Sequence, residues 1–260
     1  MRVCFITPRK YFREFCSRYS DYYLLLSHWI ESERDLTPFR DRYVILDNGA
    51  YENGKPHEID RYVQLIERLR PDEIVTPDVR FDAQATITAT CQFLKDHHES
   101  RYKYLAPVQG TNWEEWTHCY RTFLDDPKVD VIGITDVPVE KTVLSYAYDK
   151  LPAAFSRVYA MEYLDRLGLL QKPIHILGSV DPAELPWLRY FRHARSTDSK
   201  IAFWNGVSND RLHPTSGLRR GSIKIESMTW DWSGQLTLRQ RRNILYNIAV
   251  FKALAGGGKK

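Results

Sequence analysis

The chain has 260 residues, 43 % of them apolar and 27 % charged, with a formal net charge of +4. Closed α/β barrels run to roughly 250 residues as one domain, so this length suits one large α/β fold over residues 1–255. No stretch stays apolar for the ~20 residues a membrane span requires, so no membrane partner is expected.

The opening run MRVCFITPRKYF turns charged at Arg9 and Lys10 and lacks the apolar centre of a secretory signal, so a cytoplasmic protein is expected. The first strand is predicted over Arg2 to Pro8. A long helix is predicted from Phe12 to Glu31, with Tyr22, Leu25, Leu26 and Trp29 on one stripe. Further strands are predicted at Tyr43 to Gly49, Glu73 to Val79, Tyr104 to Gly110, Val129 to Asp136, Pro173 to Ser179, Ala194 to Ser199 and Ile201 to Gly206. These runs are continuously apolar, which is how strands of a parallel sheet read. Helices are predicted between them at His57 to Leu69, Asp82 to His97, Trp113 to Leu124, Val143 to Leu151, Arg157 to Leu170 and Pro182 to Phe191, and a last one at Leu238 to Ala255. Strand and helix in alternation leave an open doubly wound sheet or a (β/α)8 TIM-type barrel. No GxGxxG follows the first strand, so the barrel is favoured.

Residues 207–235 break the alternation. Pro214, Gly217, Gly221 and Gly234 flank a short alternating run, SIKIES, which reads as a basic insertion before the closing helix. Arg211, Arg219, Arg220 and Lys224 give it phosphate-binding character, whereas Arg239, Arg241 and Arg242 read as the solvated face of the helix. The Gly and Lys tail, 256–260, is expected to be disordered. Cys4, Cys16, Cys91 and Cys119 show no close pairing, which predicts neither a zinc site nor disulfides.

Polar residues recur where the predicted strands end: Asp47, Asp78, Gln109 with Gly110, Gly133 followed by Asp136, and Asp198. In a (β/α)8 barrel such positions converge on the face where chemistry is done. Any one of them also reads as a turn former or helix cap, as Asp82 does. What sets the group apart is that Asp47, Asp78, Gln109 and Asp198 each adjoin an apolar run.

These motifs carry a resemblance. LDNGAY, APVQG, VIGI and HILGSVDP stand in the order and at the strand positions of the corresponding segments of the tRNA-guanine transglycosylase superfamily, over Ile45 to Asp198. The resemblance implies a pentosyltransferase that exchanges guanine for a 7-deazaguanine through a covalent link between an Asp and C1′ of the sugar. It makes Asp198 the nucleophile and Asp47 the general acid/base. Asp78, Gln109 and Gly110, with the backbone at Gly133 and Ile134, would read the base edge. Tyr51 and Leu177 would sandwich the ring, with Asn48 and Gly178 beside them. No cofactor or metal is implied for this chain, because the family's zinc-binding cysteine cluster has no counterpart in TSGLRRGSIKIESMTWDWSG. That departure places the chain nearer the phage and bacterial relatives that modify DNA, with a free base such as 7-cyano-7-deazaguanine as co-substrate. Arg219, Arg220 and Lys224 would then hold phosphates, and Trp204, Trp230 and Trp232 would stack on bases or pack the insertion onto the barrel. Two other readings stay open, a tRNA-directed or nucleoside enzyme and a silent nucleic-acid-binding barrel, as does a homodimer. A metal-dependent hydrolase is disfavoured because histidines are missing from the predicted strand ends except His175.

Overall fold

The computed structural model describes residues 1–135, 154–179, 181–218 and 231–256. Eight strands form one parallel sheet: β1 (Arg2–Phe5), β2 (Tyr23–Leu26), β3 (Val44–Asp47), β4 (Glu73–Val75), β5 (Lys103–Val108), β6 (Val131–Ile134), β7 (Ile174–Ile176) and β8 (Ala194–Ser199). Their order, β1-β8-β7-β6-β5-β4-β3-β2, with interleaved helices, is that of a (β/α)8 barrel. The longer helices are α1 (Ile59–Leu69), α2 (Ala83–His97), α3 (Trp113–Asp125), α4 (Ala154–Arg166), α5 (Ile201–Val207) and α6 (Leu238–Leu254). The expected helix at Val143 to Leu151, most of the insertion and the tail from residue 257 lie outside the described residues.

The chain divides into two compact units, Leu24–His175 and Met1–Tyr23 with Ile176–Lys260. In Leu24–His175, β3, β4, β5 and β6 pair in register, Ile45 with Glu73, Glu73 with Lys103 and Pro107 with Gly133. The buried Tyr62 hydroxyl of α1 lies 2.8 Å from the Leu46 carbonyl and 2.9 Å from that of Val75, tying the helix to two strands. Asp82 caps α2 as its sequence position predicts, accepting from Ala85 N at 2.9 Å.

In the other unit β1 pairs with β8, Cys4 opposite Asp198. The remaining edge of β1 is occupied by the segment before β2: Val3 N and Phe5 N donate to the side chains of Asp21 and Ser20, both at 2.8 Å. A buried strand edge is thereby satisfied by side chains. The Asp21 arrangement recurs. Asp21 N, Asp72 N and Asp130 N donate to the carbonyls of Val3, Val44 and Tyr104. Their carboxylates accept in return from the N–H of the same three strand residues, at 2.8, 2.7 and 2.9 Å.

Two predicted elements are corrected. Phe12 to Glu31 is not one helix; short helical turns end at Tyr19, and Tyr23–Leu26 is β2, flanked by one more turn at Ser27–Ile30. Tyr22, Tyr23, Leu24, Leu25 and Leu26 are all buried, where a one-sided helix would have exposed some of them. Ile201 to Gly206 is not a strand but lies in α5, a helix buried on every side, and continuous apolar runs do not distinguish the two. Gly206 is required there, since a Cβ would fall 2.3 Å from Ile244 Cγ1 and 2.5 Å from Ile244 N of α6. That crossing sits in a core of Val3, Phe5, Phe203, Ile244, Ile248 and Phe251.

Candidate functional site

The exits of β3, β4 and β5 form one hydrogen-bonded cluster. β3 ends at Asp47, whose Oδ1 accepts from Gly49 N at 2.7 Å, and Asn48 Oδ1 accepts from Ala50 N at 2.7 Å. Two successive side-chain caps thus turn the chain into the helical turn Ala50–Asn53. Gly49 is required by its φ of +75° and by space, for a Cβ would lie 2.6 Å from His28 Nδ1.

Asn48 Nδ2 donates to Thr76 O at 2.7 Å and to Asp78 Oδ1 at 2.8 Å. Asp78 Oδ2 accepts from Gln109 Nε2 at 2.6 Å, and Gln109 Oε1 accepts from Phe81 N at 3.2 Å. Asp78 and Gln109 are only 5 % and 4 % exposed. Burial raises the Asp78 pKa above the ordinary carboxylate value, and the bonds from Asn48 and Gln109 and the Arg80 charge offset part of that shift. Each Asp78 oxygen keeps a further lone pair for a ligand donor. Gly110 lets β5 meet α3 closely, since a Cβ would stand 2.6 Å from Trp116 N. Gly133 and Ile134 are buried in β6 opposite Pro107 and Val108.

Tyr51 is 51 % exposed, and the Arg80 guanidinium lies over its ring, 4.6 Å from the centroid. Arg80 also lies 4.9 Å from the Phe81 ring centroid, and Phe81 holds a left-handed φ of +63°.

The expectation that strand ends lack histidine is corrected by β2, because His28 follows that strand directly. Its Nδ1 is buried without a hydrogen-bond partner, and burial, then the neighbouring His57, push its pKa below the ordinary value. His57, in the loop after β3, donates its backbone N–H to Asn48 O at 2.8 Å. Its Nε2 meets Glu31 Oε2 at 3.3 Å, while its Nδ1 is buried and unpartnered. Sequence reasoning missed this pair, His28 together with the strand that carries it. The apolar YYLLL followed by Ser and His was the available signal.

In the other unit Asp198 lies in β8, 4 % exposed. Its Oδ1 accepts from Gly178 N at 3.0 Å and its carbonyl from Ser179 N at 2.8 Å, so the chain leaving β7 is fastened to it. Gly178 holds a φ of +61°, and Leu177 beside it is half-buried. Ser199 Oγ donates to Ser179 O at 2.5 Å, and Ser179 Oγ to Glu184 Oε1 at 2.6 Å. Hydrogen bonds thus join Asp198 to Gly178 in one unit, and Asn48, Asp78 and Gln109 to one another in the other.

Trp204 is corrected. It is 5 % exposed in the aromatic core, its ring 5.4 Å from Phe203 and 6.4 Å from Trp232, so it is not a stacking surface for bases. Arg219, Arg220, Lys224, Trp230 and Asp136 lie outside the described residues. Among the described residues no group of three or more His, Cys, Asp or Glu is placed to hold a metal ion, and the four cysteines form no disulfide. No helix of the described residues is long and apolar enough to cross a membrane. No protein-family model matches the chain, and no curated protein is significantly similar to it.

Proposed function

We propose that the chain is a base-exchange transglycosylase that replaces guanine in DNA by a 7-deazaguanine. A (β/α)8 barrel is a frequent enzyme scaffold, with chemistry at the C-terminal ends of its strands. The observation that carries the reading is the Asp78 carboxylate, buried at such an end and held by two side-chain amides, those of Gln109 and of Asn48, the residue after Asp47. A fixed carboxylate complements the N1–H and N2–H donors shared by guanine and 7-deazaguanine. Exposed Tyr51 offers a flat face to a heterocycle.

In the proposed reaction an Asp198 carboxylate oxygen attacks C1′ as the C1′–N9 bond breaks. Asp47 gives the departing guanine its proton. The glycosyl ester is then attacked at C1′ by N9 of the entering base, Asp47 takes the N9 proton, and the Asp198 carboxylate is restored. Two displacements retain the sugar configuration and need no cofactor. The guanine must be unpaired or extruded to be reached.

Duplex DNA, single-stranded DNA and tRNA are each incubated with labelled 7-cyano-7-deazaguanine. Label is expected in DNA, and none with Asp198→Ala. Label in tRNA alone would change the polymer and keep the chemistry. No label in any polymer, with no trapped protein–nucleic acid adduct, would overturn the reading.

A further inference from the structure

Among the described residues at the β3 and β4 exits, Arg80 is a cation for which the geometry calls for a ligand. Its half-buried guanidinium contacts the rings of Tyr51 and Phe81, and among the described residues it donates to no protein acceptor. An arginine on the surface of a protein usually samples many rotamers, and fixing it between two rings removes that freedom. Phe81 is kept in place by a strained backbone, since a bulky residue at φ +63° is costly unless its surroundings enforce it. Those surroundings are known: Gln109 Oε1 accepts from Phe81 N while its Nε2 holds Asp78. One amide therefore positions both the buried carboxylate and the platform under the guanidinium.

We infer that Arg80, held against Tyr51 and Phe81, is a nucleic-acid contact that binds a backbone phosphate of the nucleotide whose base enters beside Asp78. A stacked guanidinium keeps its N–H edge free, and that planar set of donors matches the oxygens of a phosphodiester. The inference rests on the reading of the site as a nucleic-acid base-exchange centre. It adds to that reading a residue from outside the basic insertion. Asp78 takes the base edge and Arg80 takes the backbone, so a free base should be indifferent to Arg80 and a polymer should not.

The test uses the full chain and a single-stranded 12-nucleotide DNA with one guanine, followed by fluorescence anisotropy across salt concentrations. Arg80→Met keeps an unbranched side chain against the two rings and removes every donor; Arg80→Lys keeps the charge and loses the fork. Arg80→Met is expected to weaken oligonucleotide binding about tenfold and to flatten the log–log salt slope by about 0.7, the loss of one phosphate contact on a single strand. Arg80→Lys should fall between. Calorimetric binding of free 7-cyano-7-deazaguanine should stay within about twofold of wild type in both variants, which also reports that the site has folded. Replacing one of the linkages flanking the guanine by a neutral methylphosphonate should cost the wild type what Arg80→Met costs, and should cost Arg80→Met nothing further.

An unchanged affinity and salt slope in Arg80→Met would overturn the inference and leave the base-exchange reading standing. Equal losses for both ligands would do the same, and wild-type binding of the free base but not of the oligonucleotide would overturn the inference together with DNA as the substrate. A weakened oligonucleotide complex with no base exchange by wild type would support the phosphate contact and remove the exchange reading. Wild-type binding of neither ligand would remove both.

Discussion

The two ends of the strands carry the same residue type in opposite surroundings. At the N-terminal ends of β1, β3 and β5, Asp21, Asp72 and Asp130 are exposed, and each exchanges a pair of bonds with the backbone of one strand residue. At the C-terminal ends Asp78 and Asp198 are almost wholly buried, and Asp47 is half-buried. Asp78 there accepts from the side chains of Asn48 and Gln109. A carboxylate that closes a backbone ladder in solvent is replaceable by water at modest cost. A carboxylate kept out of water by side chains that hold it in place costs stability. The contrast between Asp72 and Asp78, a few residues apart on either side of β4, is the sharpest case.

The largest effect that would break this comparison lies at Asp198. Asp198→Ala should lower base exchange at least a thousandfold, as loss of a covalent nucleophile does, while a thermal melt shows the chain still folded. A variant that retains exchange would reduce Asp198 to a fastener for Gly178. Next in size, Asp78→Asn should raise KM for the entering base roughly tenfold to a hundredfold, because one of the two carboxylate acceptors becomes an amide donor that cannot accept from the base. Equal kinetics would place Asp78 with the structural aspartates.

Asp72→Ala and Asp130→Ala should each cost about 1 kcal/mol in urea unfolding, the scale of one hydrogen bond, with turnover per folded molecule unchanged. Loss of turnover there would erase the distinction between the two ends. The smallest effect is in the pH dependence. The Asp78 pKa is raised by folding, so between its unfolded and folded values the native state binds more protons and stability falls as pH rises. Relative to Asp78→Asn, which has no proton to lose, wild type should therefore gain stability as pH is lowered through that window. A difference that is flat, or of opposite slope, in urea melts would contradict the buried-carboxylate account.

Much of this was readable before any coordinates. Asp47, Asp78 and Gln109 stand out because each follows an apolar run, and Asp82 announces itself as a helix cap. The (β/α)8 class follows from the alternation of runs and helical stretches. β2 was not readable because Tyr22, Leu25, Leu26 and Trp29 satisfy a helical period while the same segment is buried on all faces. α5 failed for the converse reason, being a helix without an exposed face. His28 was lost with β2, since a strand there brings it to Gly49. Arg80 reads as an ordinary surface charge until the left-handed Phe81 folds a ring against it. The three N-terminal aspartates precede β2, β4 and β6 at unequal intervals, so their shared role leaves no visible repeat.

The pairing of β1 with β8 bears on how the chain is made. Val3, Cys4 and Phe5 are made about 190 residues before their sheet neighbours Thr197, Asp198 and Ser199. Residues of Leu24–His175 can assemble while synthesis continues, but an apolar strand waits without its mate throughout. Such long-range closure is slow and leaves sticky surface uncovered, so holdase chaperones should find their target at β1 while β8 is still unmade.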